Sequence, residues 1–299
     1  MKHLGTILIL TFLIVSCSSS KKVLEDASLP QSNPISEPTV SEEKVLTDSS
    51  QQTTVMQNQK ELESFTDGYI TDDSISVSIE IVKPIQLFDH STFNILLSKH
   101  VSINGNVDYE AIKSDWKALK DYITQLSNNL PNNTWTKEEK LVYWINTYNA
   151  LTIDLILRHY PLKSIKDIKD PWKQRYWKLG NKWYNLDEIE HQILRKMDEP
   201  RIHFAIVCAS FSCPKLLNEA YIASKLETQL TEATKGFLSD GDRNIISEKR
   251  IQLSKIFKWF AKDFKQDGSL IDFLNQYSEV EISASAKKSY LDYNWYLNE

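Results

Sequence analysis

Along the chain the spacing of apolar residues changes several times, and each change marks a part of the protein. Residues 4–15 form an apolar run, broken at Gly5, Thr6 and Thr11 and preceded by Lys2 and His3. The run is too short for a membrane-spanning helix, which needs about 20 residues, and it has the layout of a secretory signal. From residue 18 to about 83 apolar positions thin out among Ser, Thr, Gln, Asn, Glu and Pro. Such a segment buries too little apolar surface to offset chain entropy and is expected to be a disordered tether. Within it, the alternation Ile75, Val77, Ile79, Ile81 predicts an edge strand.

Regular periodicity begins near residue 84. Leu141, Trp144, Tyr148, Leu151 and Leu155 recur at helical spacing behind the capping-box pair Thr136 and Glu139, and Pro161 stops the run. Residues 172–184 read as a hairpin turning at Gly180 and Asn181, and 186–197 as a helix with Asn185 and Glu188 as cap partners. Residues 202–209, short, apolar and preceded by Pro200, read as a buried strand. Further helices are predicted at 219–238, 254–264 and 270–277. The result is a helix-rich α+β domain over residues 84–299 with a small antiparallel sheet.

Charge and composition narrow the function classes. Residues 18–64 carry four lysines against eight acidic residues, most of the chain's net charge of −5. The folded part is therefore near neutral, which argues against nucleic acid as a partner. Nucleotide and phosphate loops, His-Glu-x-x-His and Gly-x-Ser-x-Gly are absent from the sequence, so no cofactor is expected.

At the end of the apolar run, Ile14-Val15-Ser16-Cys17 resembles a lipoprotein signal box. That resemblance implies a signal peptide at 1–16 and lipidation of Cys17, giving a membrane anchor in the bacterial cell envelope. Ser18 adds, by analogy with lipoproteins generally, sorting to the outer membrane, with the domain facing periplasm or surface. Multiple acyl chains at about 0.8 kcal/mol per buried methylene anchor stably where one does not.

Four blocks carry a second resemblance: residues 144–152 around Asn146 and Asn149, Glu190-His191 with Leu194-Arg195, Arg201 to Ser210 with Ser212-Cys213-Pro214, and Tyr293 to Asn298. With Gly105 to Tyr109 they are similar to the bacterial proteins grouped as domain of unknown function 547. The order of blocks is also similar to the papain and transglutaminase-like fold. The helix that would carry the nucleophilic cysteine there has none here.

Chemistry centres on two cysteines. Cys208 and Cys213 form an even pair in an exported chain, and a disulfide across the intervening turn needs Cα atoms within about 7 Å. The sharper alternative is a thiol nucleophile activated by His203. If 202–209 is a regular strand, His203 and Cys208 face opposite ways, which favours Cys213 on the following loop. A zinc site from His203, Cys208 and Cys213 lacks an obvious fourth ligand, so no metal is expected. Asn149 and Glu190 are candidates to orient the base or polarise a carbonyl, with Asn146, His191, Arg195 and Arg201 as secondary candidates. Each also has a structural reading: the amides clamp backbone, and the arginines hold carboxylates. Glu190 and His191, adjacent on a helix, are expected to point about 100° apart. Trp172, Trp177 and Trp183 either line a groove for sugars or peptides or pack the core. Two functions follow: a tethered binding or assembly module for an envelope peptide, glycan or protein, and a thiol-dependent hydrolase or acyl transferase on envelope peptide or amide bonds.

Overall fold

The computed structural model describes residues 87–299, which lie within one unit, residues 81–299. The signal peptide, Cys17, the tether and the strand expected at 75–81 lie outside the described residues. Helices α1 (Ser91–His100), α2 (Tyr109–Ile112), α3 (Trp116–Asn128) and α4 (Lys137–His159) come first. Phe93 of α1 stacks on Tyr122 of α3 at 5.0 Å between centroids, and Leu119 and Leu126 complete the face that α3 turns to α4.

The reason α4 starts and stops where it does is local. Thr136 accepts from the Glu139 amide at 3.2 Å while Glu139 accepts from the Thr136 amide at 2.7 Å, so two orphan donors are satisfied. Arg158 and His159 fill the last turn, where cations complement the helix dipole, and Pro161 follows. Every residue from Leu141 to Leu157 is buried, including five polar ones. A helix buried all round needs a partner for each polar side chain. Thr147 and Thr152 return their hydroxyls to the carbonyls of Tyr143 and Tyr148, at 2.6 and 2.9 Å. Asn146, Asn149 and Asp154 instead reach out and fasten neighbouring segments.

Asp154 is the hub. Its Oδ1 accepts from the Trp116 indole, and its Oδ2 from the Trp177 indole and Arg158 Nε, each at 2.6 Å. It thereby ties α3 and the hairpin of β1 (Trp177–Leu179) and β2 (Lys182–Tyr184) to the central helix. Gly180 turns that hairpin at φ 58°, where a Cβ would also meet Leu130 Cδ1 at 2.5 Å. The hairpin expectation holds for 177–184; Trp172 sits before it in a 3₁₀ turn, Pro171–Lys173.

The helix expected over 186–197 is three kinds of helix in succession. A first turn, α5 (Leu186–Glu188), is capped by Asn185, which accepts from the Glu188 amide at 2.8 Å. It widens into a π-helix at Ile189–Ile193 and tightens to 3₁₀ at Leu194–Lys196. The strand expected at 202–209 does not form. Pro200 opens a 3₁₀ helix, Pro200–Phe204, and the next residues run irregularly to Ala209 at φ 54°. The backbone groups a sheet neighbour would satisfy are taken by one side chain: Asn149 donates to the Ala205 carbonyl at 2.9 Å and accepts from the Val207 amide at 3.0 Å.

The same device shortens the helix expected at 219–238. Asn146 clamps the Tyr221 amide and carbonyl, Gln229 holds the Ala220 carbonyl and Ile222 amide, and Asn94 accepts from the Ala220 amide. Helix α6 therefore runs only over Leu226–Ser239. The expected helix at 254–264 reduces to α7 (Ile256–Trp259) and a 3₁₀ turn, Asp263–Lys265; that at 270–277 is α8 (Leu270–Asn275). The second sheet is mixed rather than antiparallel: β3 (Ile245–Ser247) pairs antiparallel with β4 (Arg250–Leu253), which pairs parallel with β5 (Lys287–Tyr290).

Two apolar clusters result, one around α4 and one of Phe237, Leu253, Phe257, Phe264, Phe273 and Leu274. The 3₁₀ helix Pro200–Phe204 joins them by sending Ile202 into the first and Phe204 into the second. Residues 293–298 form a strap across three segments. The Phe211 amide donates to the Tyr296 carbonyl at 2.7 Å, the Leu297 amide to the Lys163 carbonyl at 3.0 Å, and the Val107 amide to the Asn298 carbonyl at 2.7 Å.

Candidate functional site

Where the strap, the π-helix and the 203–213 segment meet, they enclose a pocket of about 630 Å³. That is within the usual range for small-ligand sites. Tyr148 comes from α4, Trp172 and Lys173 from the 3₁₀ turn before the hairpin, Glu190 and His191 from the π-helix, and Trp259 and Phe260 from α7 and the residue after it. The strap supplies Tyr293 and Trp295.

Of the residues singled out by sequence, Cys208, Cys213, His203, Glu190 and His191 are brought to this one pocket. The opposed facing of His203 and Cys208 disappears with the strand it assumed. Glu190 is buried and His191 is a third exposed, and both line the pocket. Both lie in the π-helix, whose wider turn places them differently from an α-helix.

Cys208 and Cys213 are joined as a disulfide with Cα atoms 6.3 Å apart. Ser210 donates to the Tyr293 hydroxyl at 3.1 Å, which donates to Cys213 Sγ at 3.2 Å. His203 is buried, its ring stacked on Phe260 at 3.9 Å, and its Nε2 lies 2.8 Å from Asp263 Oδ2. Burial lowers the His203 pKa against the opposing pull of Asp263, and because the Asp263 carboxylate can only accept, Nε2 donates to it. Burial by itself would raise Asp263, but bonds from Arg195 and His203 hold its carboxyl well below the ordinary range. Arg195 grips that carboxylate through two bonds of 2.6 and 2.8 Å and places Nη1 3.1 Å from His191 Nδ1.

Glu190 is the second unusual acid. It is 8% exposed, and Tyr148 donates to its Oε2 at 3.2 Å. Burial pushes its pKa up to about 7, against the lowering effects of the Tyr148 bond and of Arg195.

Other sequence candidates stand elsewhere. Asn146 and Asn149 spend both amide atoms on backbone, the latter holding the segment that leads to Cys208. Arg201 is gripped by Glu199 and Glu227 and lines a different cavity. Trp177 is core and Trp183 is exposed, whereas Trp172 lines the pocket. Sequence reasoning missed Asp263, 60 residues from His203 in an apolar stretch with nothing local to mark it. Tyr148 and Tyr293 stand inside quoted motifs, but their hydroxyls had no assigned partner.

The fold is α+β, and the site is an aromatic pocket with the buried carboxyl group of Glu190, two imidazoles and a disulfide in its wall. Residues 132–238 match the family described as "Protein of unknown function, DUF547". The matched span covers α4, the hairpin, the π-helix, both cysteines and most of α6; Asp263, Tyr293 and Trp295 fall outside it. Among curated proteins and solved structures, nothing matches the chain.

Proposed function

We propose that the chain is a lipid-anchored protein of the bacterial cell envelope whose folded domain is a tethered binding module, with the aromatic pocket as its ligand site. One observation carries the binding role: the pocket is large enough for a small ligand and is walled by Trp172, Trp259, Tyr293 and Trp295, while its two thiols are tied to each other. Anchoring rests on the signal-box residues ending in Cys17. The full chain expressed in a bacterial host is expected to take up a labelled fatty acid and sediment with membranes, and Cys17→Ser to lose both properties. Equal labelling of the variant removes the anchor from the proposal.

For the pocket, the full chain is purified oxidised and alkylated without reductant, and tryptophan fluorescence is followed as envelope peptides or glycan fragments are added. Neither Cys208 nor Cys213 is expected to label, and the fluorescence is expected to change saturably. A second reading, thiol-dependent hydrolysis or acyl transfer, is favoured by a separate observation. His203, bonded to Asp263, lines the same pocket as Cys213, so a sulfur and an imidazole oriented by a carboxylate share one region. It needs the disulfide opened by a thiol reductant. Rapid alkylation of Cys213 near neutral pH, slowed by His203→Ala and accompanied by peptide cleavage, replaces the binding module with that enzyme.

A further inference from the structure

Glu190 has a free oxygen. Its Oε2 takes the Tyr148 bond, and Oε1 takes none among the described residues. Tyr221 Oη is the one sealed side-chain polar atom without a partner among those residues, so Oε1 keeps some exposed surface, and Glu190 lines the pocket. A carboxyl group 8% exposed, with an unpaired oxygen in the wall of an aromatic cavity, costs stability unless something donates to it. Trp172, Tyr293 and Trp295 line the same cavity, and ring faces attract cations.

The lip of the pocket has the opposite character. Lys166, Lys169 and Lys173 line it within eight residues, exposed, with one acid among them, the exposed Asp170. The lysine ion pairs among the described residues belong to Lys99, Lys117, Lys182 and Lys255, so these three have no carboxylate partner there. Lys166 Nζ rests 4.0 Å from the Trp295 ring centroid, which holds that charge at the entrance.

Building on the binding reading above, we propose that the pocket takes a zwitterionic small molecule. Its ammonium group is received by Glu190 Oε1 among the aromatic rings, and its carboxylate or phosphate by Lys166, Lys169 and Lys173. A buried acid beneath an unpaired basic lip complements a ligand of both charges better than a purely anionic or apolar one.

Two sources share this chemistry, a peptide with free termini and a phosphoethanolamine headgroup. The test uses the full chain and tryptophan fluorescence with Ala-Leu-Ala, its N-acetyl, C-amide and doubly blocked forms, and glycerophosphoethanolamine. Saturable binding by the free tripeptide or by glycerophosphoethanolamine is expected. Acetylation of the peptide amine weakens binding at least tenfold, and amidation a few-fold with reduced sensitivity to salt. Glu190→Gln abolishes the preference for the free amine; Lys169→Gln with Lys173→Gln abolishes the preference for the free acid.

Binding is also expected to be tighter at pH 8 than at pH 6, because the ionised carboxylate receives the ammonium, and Glu190→Gln flattens that difference. The groups facing Glu190 are Tyr148, Asp187, Arg195, Asp263, Tyr293 and the imidazoles of His191 and His203, both lowered by burial. Equal binding of free and doubly blocked peptides, or an unchanged amine preference in Glu190→Gln, overturns this inference while leaving the pocket a binding site. Failure of every probe, blocked forms included, overturns both.

Discussion

Asp154→Ala is expected to lower the domain's stability by about 3–5 kcal/mol, the range for breaking a buried charged network by removing one partner. The loss comes from what is left behind. The Trp116 and Trp177 indole donors lose their acceptor in a site where Asp154 is fully buried, while Arg158 is a third exposed and recovers water. For a domain of this size each kcal/mol moves the melting temperature by about 2–4 °C, so a drop of about 10 °C is the readout. Asp154→Asn keeps one acceptor oxygen and is expected to fall between wild type and alanine. An alanine variant within about 1 kcal/mol of wild type in urea unfolding would show that α3 and the hairpin hold to α4 by apolar packing alone.

Asn149→Ala is expected to cost about 3 kcal/mol by a different route. Two backbone groups, the Ala205 carbonyl and the Val207 amide, are left buried without partners, each at about 1–3 kcal/mol. Asn149→Asp is the informative companion, because it still accepts from Val207 but cannot donate to Ala205. If Asn149 only orients a catalytic group, both variants unfold at the same urea concentration as wild type and lose function alone. If it builds the site, disulfide formation between Cys208 and Cys213 slows in proportion to the stability lost, since the clamp sets the path of the chain into Cys208.

How legible the fold was depended on where each segment finds its hydrogen bonds. Thr136, Glu139 and the spacing of Leu141 to Leu155 announce α4 because a capped, periodic helix satisfies its own backbone. Gly180 and Asn181 announce the hairpin for the same local reason. Residues 202–209 have strand-like composition, yet their conformation is decided by Asn149, more than fifty residues earlier. Residues 219–222 are decided in the same way by Asn94, Asn146 and Gln229. Asn244 and Asn275 act alike, each donating to one backbone carbonyl and accepting from one backbone amide. A side-chain amide offers both N–H donors and a carbonyl acceptor, as a peptide group offers one of each, so it can replace a strand or helix neighbour. Nothing in local periodicity reports such a replacement.

The site divides along the same line. His203, Cys208, Cys213, Glu190 and His191 stood out as reactive types in short motifs and do share a pocket. Their geometry was not legible, because the strand that separated His203 from Cys208 never forms and because nothing local marks the π-helix that carries Glu190 and His191. Asp263 was silent because a carboxylate becomes part of such a site only through the Arg195 and His203 that reach it from 68 and 60 residues away.

The strap has a consequence for the order in which the protein is made. Residues 293–298 reach back to Val107, Lys163 and Phe211, and two of them are walls of the pocket. A chain emerging from the ribosome holds every acid, imidazole and cysteine of the site before it holds Tyr293 and Trp295. The two cysteines are thus free to meet early, whereas the pocket gains its last two aromatic walls only once residues 293–298 have been added.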